Sequence, residues 1–181
     1  MAFLNIFKKK NIESSLEVFP DMTKYRIYIF LKSESTSDLK ALMNEYYEIY
    51  TTETPFSMEL YKLDDLSWNY VVLTLLPNVA EIPPVWDYLN ILLWLNEKAV
   101  SSFAYAIPKQ EEEQPFFAEV DKSNPYGDSC VGIANGRNFF CNIPEEKVEW
   151  STSVSKQFNY TQFIYERYGV TFPECIGERN W

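Results

Sequence analysis

The side chains in this chain that could do chemistry are mostly carboxylates, and they come in short clusters. Asp64 and Asp65 are adjacent, Glu111, Glu112 and Glu113 form a run, Asp121 lies near Asp128, and Glu145 is followed by Glu146. Paired carboxylates can hold Mg²⁺ or divide acid and base roles between them. None of these clusters has the spacing of a calcium loop or a second supporting motif. The chain has no histidine, so the commonest general base and metal ligand is absent. That excludes Ser-His-Asp triads, Cys-His dyads and ordinary zinc catalysis. A nucleophilic cysteine needs an activating base or cation, and no histidine can supply one. We therefore expect no catalytic residues, no metal site and no cofactor. Solvated loop charge is the plain explanation of the acids. If they act, electrostatic attraction of a basic partner is the use that suits them.

Composition points the same way. The 181 residues carry a net charge of −10 and a pI near 4.6. An acidic surface repels nucleic acid and anionic lipid and steers basic proteins into contact. Aromatic residues reach 17%, with 13 Tyr and 13 Phe, more than a core requires. Tyrosine and tryptophan are also the residues that anchor interfaces. The three cysteines do not form a disulfide framework. No apolar run is long enough to span a bilayer, and the opening MAFLNIFKKK has the wrong order and length for a signal peptide. The expectation is a cytoplasmic protein without stable membrane insertion, whose residues 1–23 form an N-terminal arm.

The elements that must position these groups follow from periodicity. Trp68 to Leu76 is the densest strand signal, apolar on both faces, and suits a central, covered strand. Lys24 to Lys32 alternates Tyr25, Ile27, Ile29 and Leu31 against Arg26, Tyr28, Phe30 and Lys32. Ser35 to Asp38 offers helix caps, and Leu39, Leu42, Met43, Tyr46, Tyr47 and Tyr50 follow at helical spacing. Phe56 to Tyr61 alternates as a half-exposed strand. Pro83 and Pro84 open a second helix, and Val100 to Ile107 closes the set. Strand, helix, strand, strand, helix, strand is the split βαβ, ferredoxin-like order, expected over residues 24–108. That superfold carries no function with it.

Residues 115–181 are expected as a β-hairpin and helix extension that packs on this α+β core, within one compact domain. Phe116 to Val120 reads as a strand. Asn135-Gly136 is a type I′ turn pair, which sets Ala134 opposite Arg137 and Cys130 opposite Cys141. A bridge there is geometrically possible, but buried thiols are the default. Glu145 to Trp150 adds a strand. Asn159 or Thr161 starts a last helix that ends at Gly169. The Asn159-Tyr160-Thr161 sequon reads as chance. Tyr28, Phe30, Tyr61, Trp68 and Tyr70 share one sheet face. The extension is expected to fold back over them, since an open patch of that size is a liability.

The stretch GDSCVGIANGRNFFCNIPEEKVEWSTS followed by NYTQFIYERYG, within residues 127–168, resembles the C-terminal part of SUKH immunity domains. It shares with them a hairpin, a Trp-bearing strand and a closing aromatic helix. The resemblance implies a stoichiometric toxin inhibitor. We therefore expect an acidic, immunity-type binding protein that occludes a basic partner, a cognate toxin or effector. Its partner-binding residues would be Asp64, Asp65, Glu111, Glu112, Glu113, Tyr126 and Asp128. Two other classes stay open: an assembly subunit, phage or host, that oligomerises through an aromatic surface, and a carboxylate- or metal-dependent enzyme. The sequence leaves the oligomeric state undetermined.

Overall fold

Alternation in the strands decides the architecture. In Tyr25–Lys32 (β1), Ile27, Ile29 and Leu31 point to one face and Tyr28 and Phe30 to the other, and all five are buried. A strand apolar on both sides needs cover on both sides. The computed structural model describes residues 19–33, 35–50, 56–63, 67–76 and 84–171. Its elements after β1 are α1 (Thr36–Tyr50), β2 (Phe56–Lys62), β3 (Trp68–Leu75), α2 (Pro84–Glu97), β4 (Ser102–Pro108) and β5 (Phe116–Val120). They continue with β6 (Ser129–Ala134), β7 (Arg137–Asn142), β8 (Lys147–Ser153) and α3 (Tyr160–Tyr168). The eight strands form one sheet in the order β2-β3-β1-β4-β5-β6-β7-β8, and every neighbouring pair is antiparallel. The α+β class expected from the sequence is the class observed.

One face carries Ile27, Ile29, Leu31, Val71, Leu73, Ala104, Ala106 and Phe116, covered by α1 and α2. Tyr46 of α1 meets Trp94 of α2 edge-on, with ring centroids 5.0 Å apart. Lys98 just beyond α2 donates to Glu45 at 2.7 Å. α2 also reaches β5, and beyond it, among the described residues, lies Phe19, whose ring contacts Trp86, Phe116, Phe139 and Trp150. The end of the expected arm therefore docks on the sheet. Residues 1–18, including the Phe3 to Lys10 stretch, lie outside the described residues.

The second face carries the aromatic set: Tyr28, Phe30, Trp68, Tyr70, Phe103, Tyr105 and Phe117. The extension covers it only in part as expected. Strands β5 to β8 do not fold back. Each continues the sheet in its own plane, because β5 pairs with the free edge of β4. What crosses the aromatic face is α3. Tyr160 and Ile164 are buried against it, and the Tyr168 ring stacks on Phe103 at 4.2 Å. Asn159 caps the helix by accepting from the Gln162 N–H at 3.0 Å, and Gly169 at φ 71° ends it. The sequon asparagine thus has a local structural use.

The hairpin register is the one its turn demands. Asn135 and Gly136 take φ 51° and 68°, Ala134 faces Arg137, and Cys130 faces Cys141. Both cysteines are buried free thiols. Gly132 lies opposite Phe139. A Cβ on it would meet the Phe117 carbonyl oxygen at 2.0 Å and the Phe139 ring at 2.7 Å. Only a residue without a side chain lets the strand and the ring come this close.

Two predictions test this packing. Gly132→Ala should cost at least about 3 kcal/mol in urea unfolding, since backbone and a packed ring would both have to move. Burial pushes the hydroxyls of Tyr25 and Tyr160 up to about 12, and raises those of Tyr28, Tyr88, Tyr105 and Tyr168. The folded state therefore holds these protons more tightly than the unfolded chain, where tyrosine titrates near pH 10. Stability from these groups should be intact below about pH 10 and fall as pH rises from there through about 12. Tyrosinate absorbance recorded beside circular dichroism should show ionisation of this subset coinciding with unfolding.

Candidate functional site

Antiparallel strands send successive loops to opposite ends of the sheet, and this sorts the acidic clusters. Segment 109–115, between β4 and β5, lies at one end with the Asn135-Gly136 turn. Segment 121–128, between β5 and β6, lies at the other end with the turn at 143–146. Glu111, Glu112 and Glu113 are therefore separated from Tyr126 and Asp128 by the length of the sheet. Asp64 and Asp65 lie outside the described residues. The five of the expected partner-binding residues that the structure describes thus fall into two groups at opposite ends of the strands.

The two ends differ in charge state. At the first, Glu111 and Glu112 are exposed, but Glu113 faces Lys24 at 3.4 Å, and Lys109 follows β4 directly. At the second, Asp121, Asp128, Glu145 and Glu146 outnumber Lys122 and Lys147. Tyr126, 86% exposed, stands in the loop that carries Asp121 and Asp128, next to the turn that carries Glu145 and Glu146.

The loop that carries Tyr126 is held by its own side chains. Asn124 is the organiser. Its Oδ1 accepts from the Tyr126 N–H at 3.0 Å, and its Nδ2 donates to Asp128 Oδ1 at 2.7 Å and to Ser129 Oγ at 2.6 Å. Asp121 accepts from the Ser123 amide and hydroxyl at 2.9 and 2.7 Å. Gly127 at φ 65° completes the bend. The Ile143 N–H donates to the Asp128 carbonyl at 3.0 Å, which joins this loop to the turn bearing Glu145 and Glu146. Glu146 sits at φ 50°, a left-handed conformation that glycine would adopt at lower cost. A tyrosine on a loop fixed in this way loses little freedom on binding, which is the condition for an interface anchor.

A second polar cluster was not anticipated from the sequence. Glu119 is 5% exposed on the aromatic face beside Phe117. Arg167 donates to it through Nε at 3.0 Å and also through Nη2, and the Tyr168 hydroxyl donates to it as well. The hydrogen bond to Glu119 holds the Arg167 guanidinium above its ordinary range. Burial first, then the bond to Glu119, raise the Tyr168 hydroxyl. The signal was present: in Phe116–Val120 the acid occupies the same face as Phe117, where alternation predicts an apolar side chain. Its partners lie 48 and 49 residues away and no local pattern reveals them.

The two cysteines among the described residues, Cys130 and Cys141, are packed together. The Cys141 thiol donates to the Cys130 carbonyl at 3.6 Å. The hydrogen bond with Cys141 and then burial raise the Cys130 thiol well above its usual value, opposite to what a nucleophile requires. Among the described residues no group of three or more Asp, Glu or Cys is placed to hold a metal ion. None of the described helices is long and apolar enough to cross a membrane. No protein-family model matches the chain, and no curated protein or solved structure matches it.

The Glu119 clamp yields a stability prediction. Arg167→Ala should cost about 2 kcal/mol in urea unfolding, because it strands a buried carboxylate. The guanidinium is half in water, which keeps the loss below that of a fully buried pair. Adding Glu119→Leu to the same variant should recover most of the loss, since an apolar side chain of similar size needs no partner.

Proposed function

We propose that this protein binds a basic partner protein through Tyr126 and the carboxylates around it, and that it acts as an immunity-type inhibitor in the cytoplasm of the producing cell. One observation carries this reading: an almost fully exposed tyrosine on a loop fixed by Asn124 and Asp121, within a locally acidic surface. Tyrosine anchors at the centre of an interface carry much of its binding energy. The surrounding carboxylates would speed encounter with a cationic partner and set its orientation. Glu146 fits the same reading, because its carboxylate is kept at a backbone position where glycine costs less. Inhibition would follow from occlusion of the partner's basic working surface.

We also propose that residues 24–108 form a split βαβ unit of ferredoxin-like type, to which β5 to β8 were added at one edge. The order β2-β3-β1-β4, with α1 and α2 on one face, supports this.

The test is capture of the partner from producing cells on the immobilised protein, followed by titration with the purified partner. Tyr126→Ala should weaken binding by about 2 kcal/mol, and affinity should fall as salt rises. Glu146→Gly should raise thermal stability while weakening binding. Unchanged affinity in Tyr126→Ala and in a Glu145→Gln, Glu146→Gln double variant would remove this surface from the interface.

A further inference from the structure

Cross-strand pairing lines up one row of side chains on the face that α3 covers. Glu119 of β5 pairs with Val131 of β6, Val131 with Phe140 of β7, and Phe140 with Glu149 of β8. Directly opposed residues share a face of the sheet, and Glu119 lies on the aromatic face, so all four do. Beside this row runs a second, in which Phe117 pairs with Ile133. α3 reaches β4 and β5, where Tyr168 stacks on Phe103 and Phe163 meets Phe117. Farther out, Val131 and Phe140 are only half-buried. Val154, Phe158 and Phe163, packed against the aromatic cluster, form a wall beside the strands. The result is a cleft of about 560 Å³, lined by both rows and by that wall. Its volume falls inside the usual range for ligand pockets, about 300–1,000 Å³. The segments that border it, 117–121, 129–142 and 147–163, all lie within the described residues.

The first row is acidic at both ends and apolar in the middle. Its two carboxylates differ in what they already hold. Glu119 is buried and accepts from Arg167 and Tyr168, so its charge is met within the protein. Glu149 has Lys147 at 3.8 Å, beyond hydrogen-bond distance, and the two side chains are 66% and 65% exposed. Among the described residues, no lysine or arginine lines the cleft. An apolar floor with an accessible carboxylate at its rim complements a molecule of the opposite layout, an apolar body that ends in a cation. From Glu149 on β8 to Val131 on β6 is two strand spacings, about 10 Å, which is the reach of an octyl chain.

We propose that this cleft is a binding site for a small amphiphilic cation, an ammonium carried on an alkyl or aryl body. The ammonium would donate to the Glu149 carboxylate, and the body would lie across Phe140 and Val131 against Phe158 and Phe163. Burial of that body supplies the affinity, and the carboxylate selects the sign of the ligand. None of Tyr126, Asp128, Glu145 and Glu146 lines the cleft, so the site stands or falls independently of the partner-binding surface.

The experiment titrates the full chain with octylammonium and 4-phenylbutylammonium, using octanoate and octanol as anionic and neutral controls. Binding is read by calorimetry and by amide chemical shifts in ¹⁵N spectra. Saturable binding of both ammonium ions is expected, tighter than that of either control, with the largest shifts at Val131, Phe140 and Glu149. Glu149→Gln should weaken octylammonium binding about threefold, the size of one exposed ion pair, and leave octanol binding unchanged. Lys147→Gln removes a competing cation and should strengthen octylammonium binding. Both positions are exposed on the edge strand β8, so neither change disturbs the core. Tyr126→Ala should have no effect. Octanoate binding as tight as octylammonium binding, shifts centred on another part of the sheet, no saturation at millimolar ammonium, or unchanged affinity in Glu149→Gln would each overturn the proposal.

Discussion

A charged carboxylate among aromatic rings must have a cation or a donor beside it, and Glu119 has both. Arg167 and Tyr168 reach it from one turn of α3. This contact sets where the helix lies. With Arg167 and Tyr168 tied to β5, the Tyr168 ring falls on Phe103 and against Trp68, and Phe163 meets Phe117 edge-on at 5.2 Å. Among the described residues the aromatic face is covered by a helix of nine residues, with Leu63, Phe158 and Val170 in the same cluster, and a helix this short is not stable without such tertiary contacts. Closing that face allows β1, β3 and β4 to be apolar on both sides.

The opposite face is closed in two sections. Over β1, β3 and β4 the cover is a pair of amphipathic helices joined by Tyr46 and Trp94. Over β6 to β8, among the described residues, Phe19 is seated edge-on against Phe139 at 5.0 Å and against Trp86 of α2 at 5.3 Å. Phe139 can lie flat there because Gly132 offers no Cβ. The position of one ring and the absence of one methyl group thus decide how the outer strands are covered. The alternation of β6 and β7 carries that requirement through Cys130 and Cys141, two small buried groups opposite one another.

Sheet topology also decides what the acidic surface can do. The chain carries a net charge of −10, but charge acts locally because salt screens it within about 10 Å. One end of the sheet mixes Glu111, Glu112 and Glu113 with Lys24 and Lys109, and Glu113 faces Lys24. The other end collects carboxylates around an exposed tyrosine.

Nearly every element was legible in the sequence, because each is set by local pattern. Alternation marked β1 and β2, a dense run apolar on both faces marked β3, Asn135-Gly136 specified a hairpin register to the residue, and Asn159 with Gly169 bracketed the last helix. The candidate site was half legible. Tyr126 and Asp128 lie in recognisable turn chemistry, and the structure keeps them together with Asn124. Glu111, Glu112 and Glu113 looked equivalent in charge, but one intervening strand carries them to the other end. The sequence by itself determined the strands, helices, turns and overall acidity, since these depend on neighbours a few residues apart. Only the tertiary structure decided that β5 extends the sheet instead of folding over it and that Glu119 meets Arg167. Those outcomes depend on pairings beyond the reach of local pattern, from Ala106 with Phe116 to Glu119 with Arg167, and such pairings are chosen by the packing of the whole sheet.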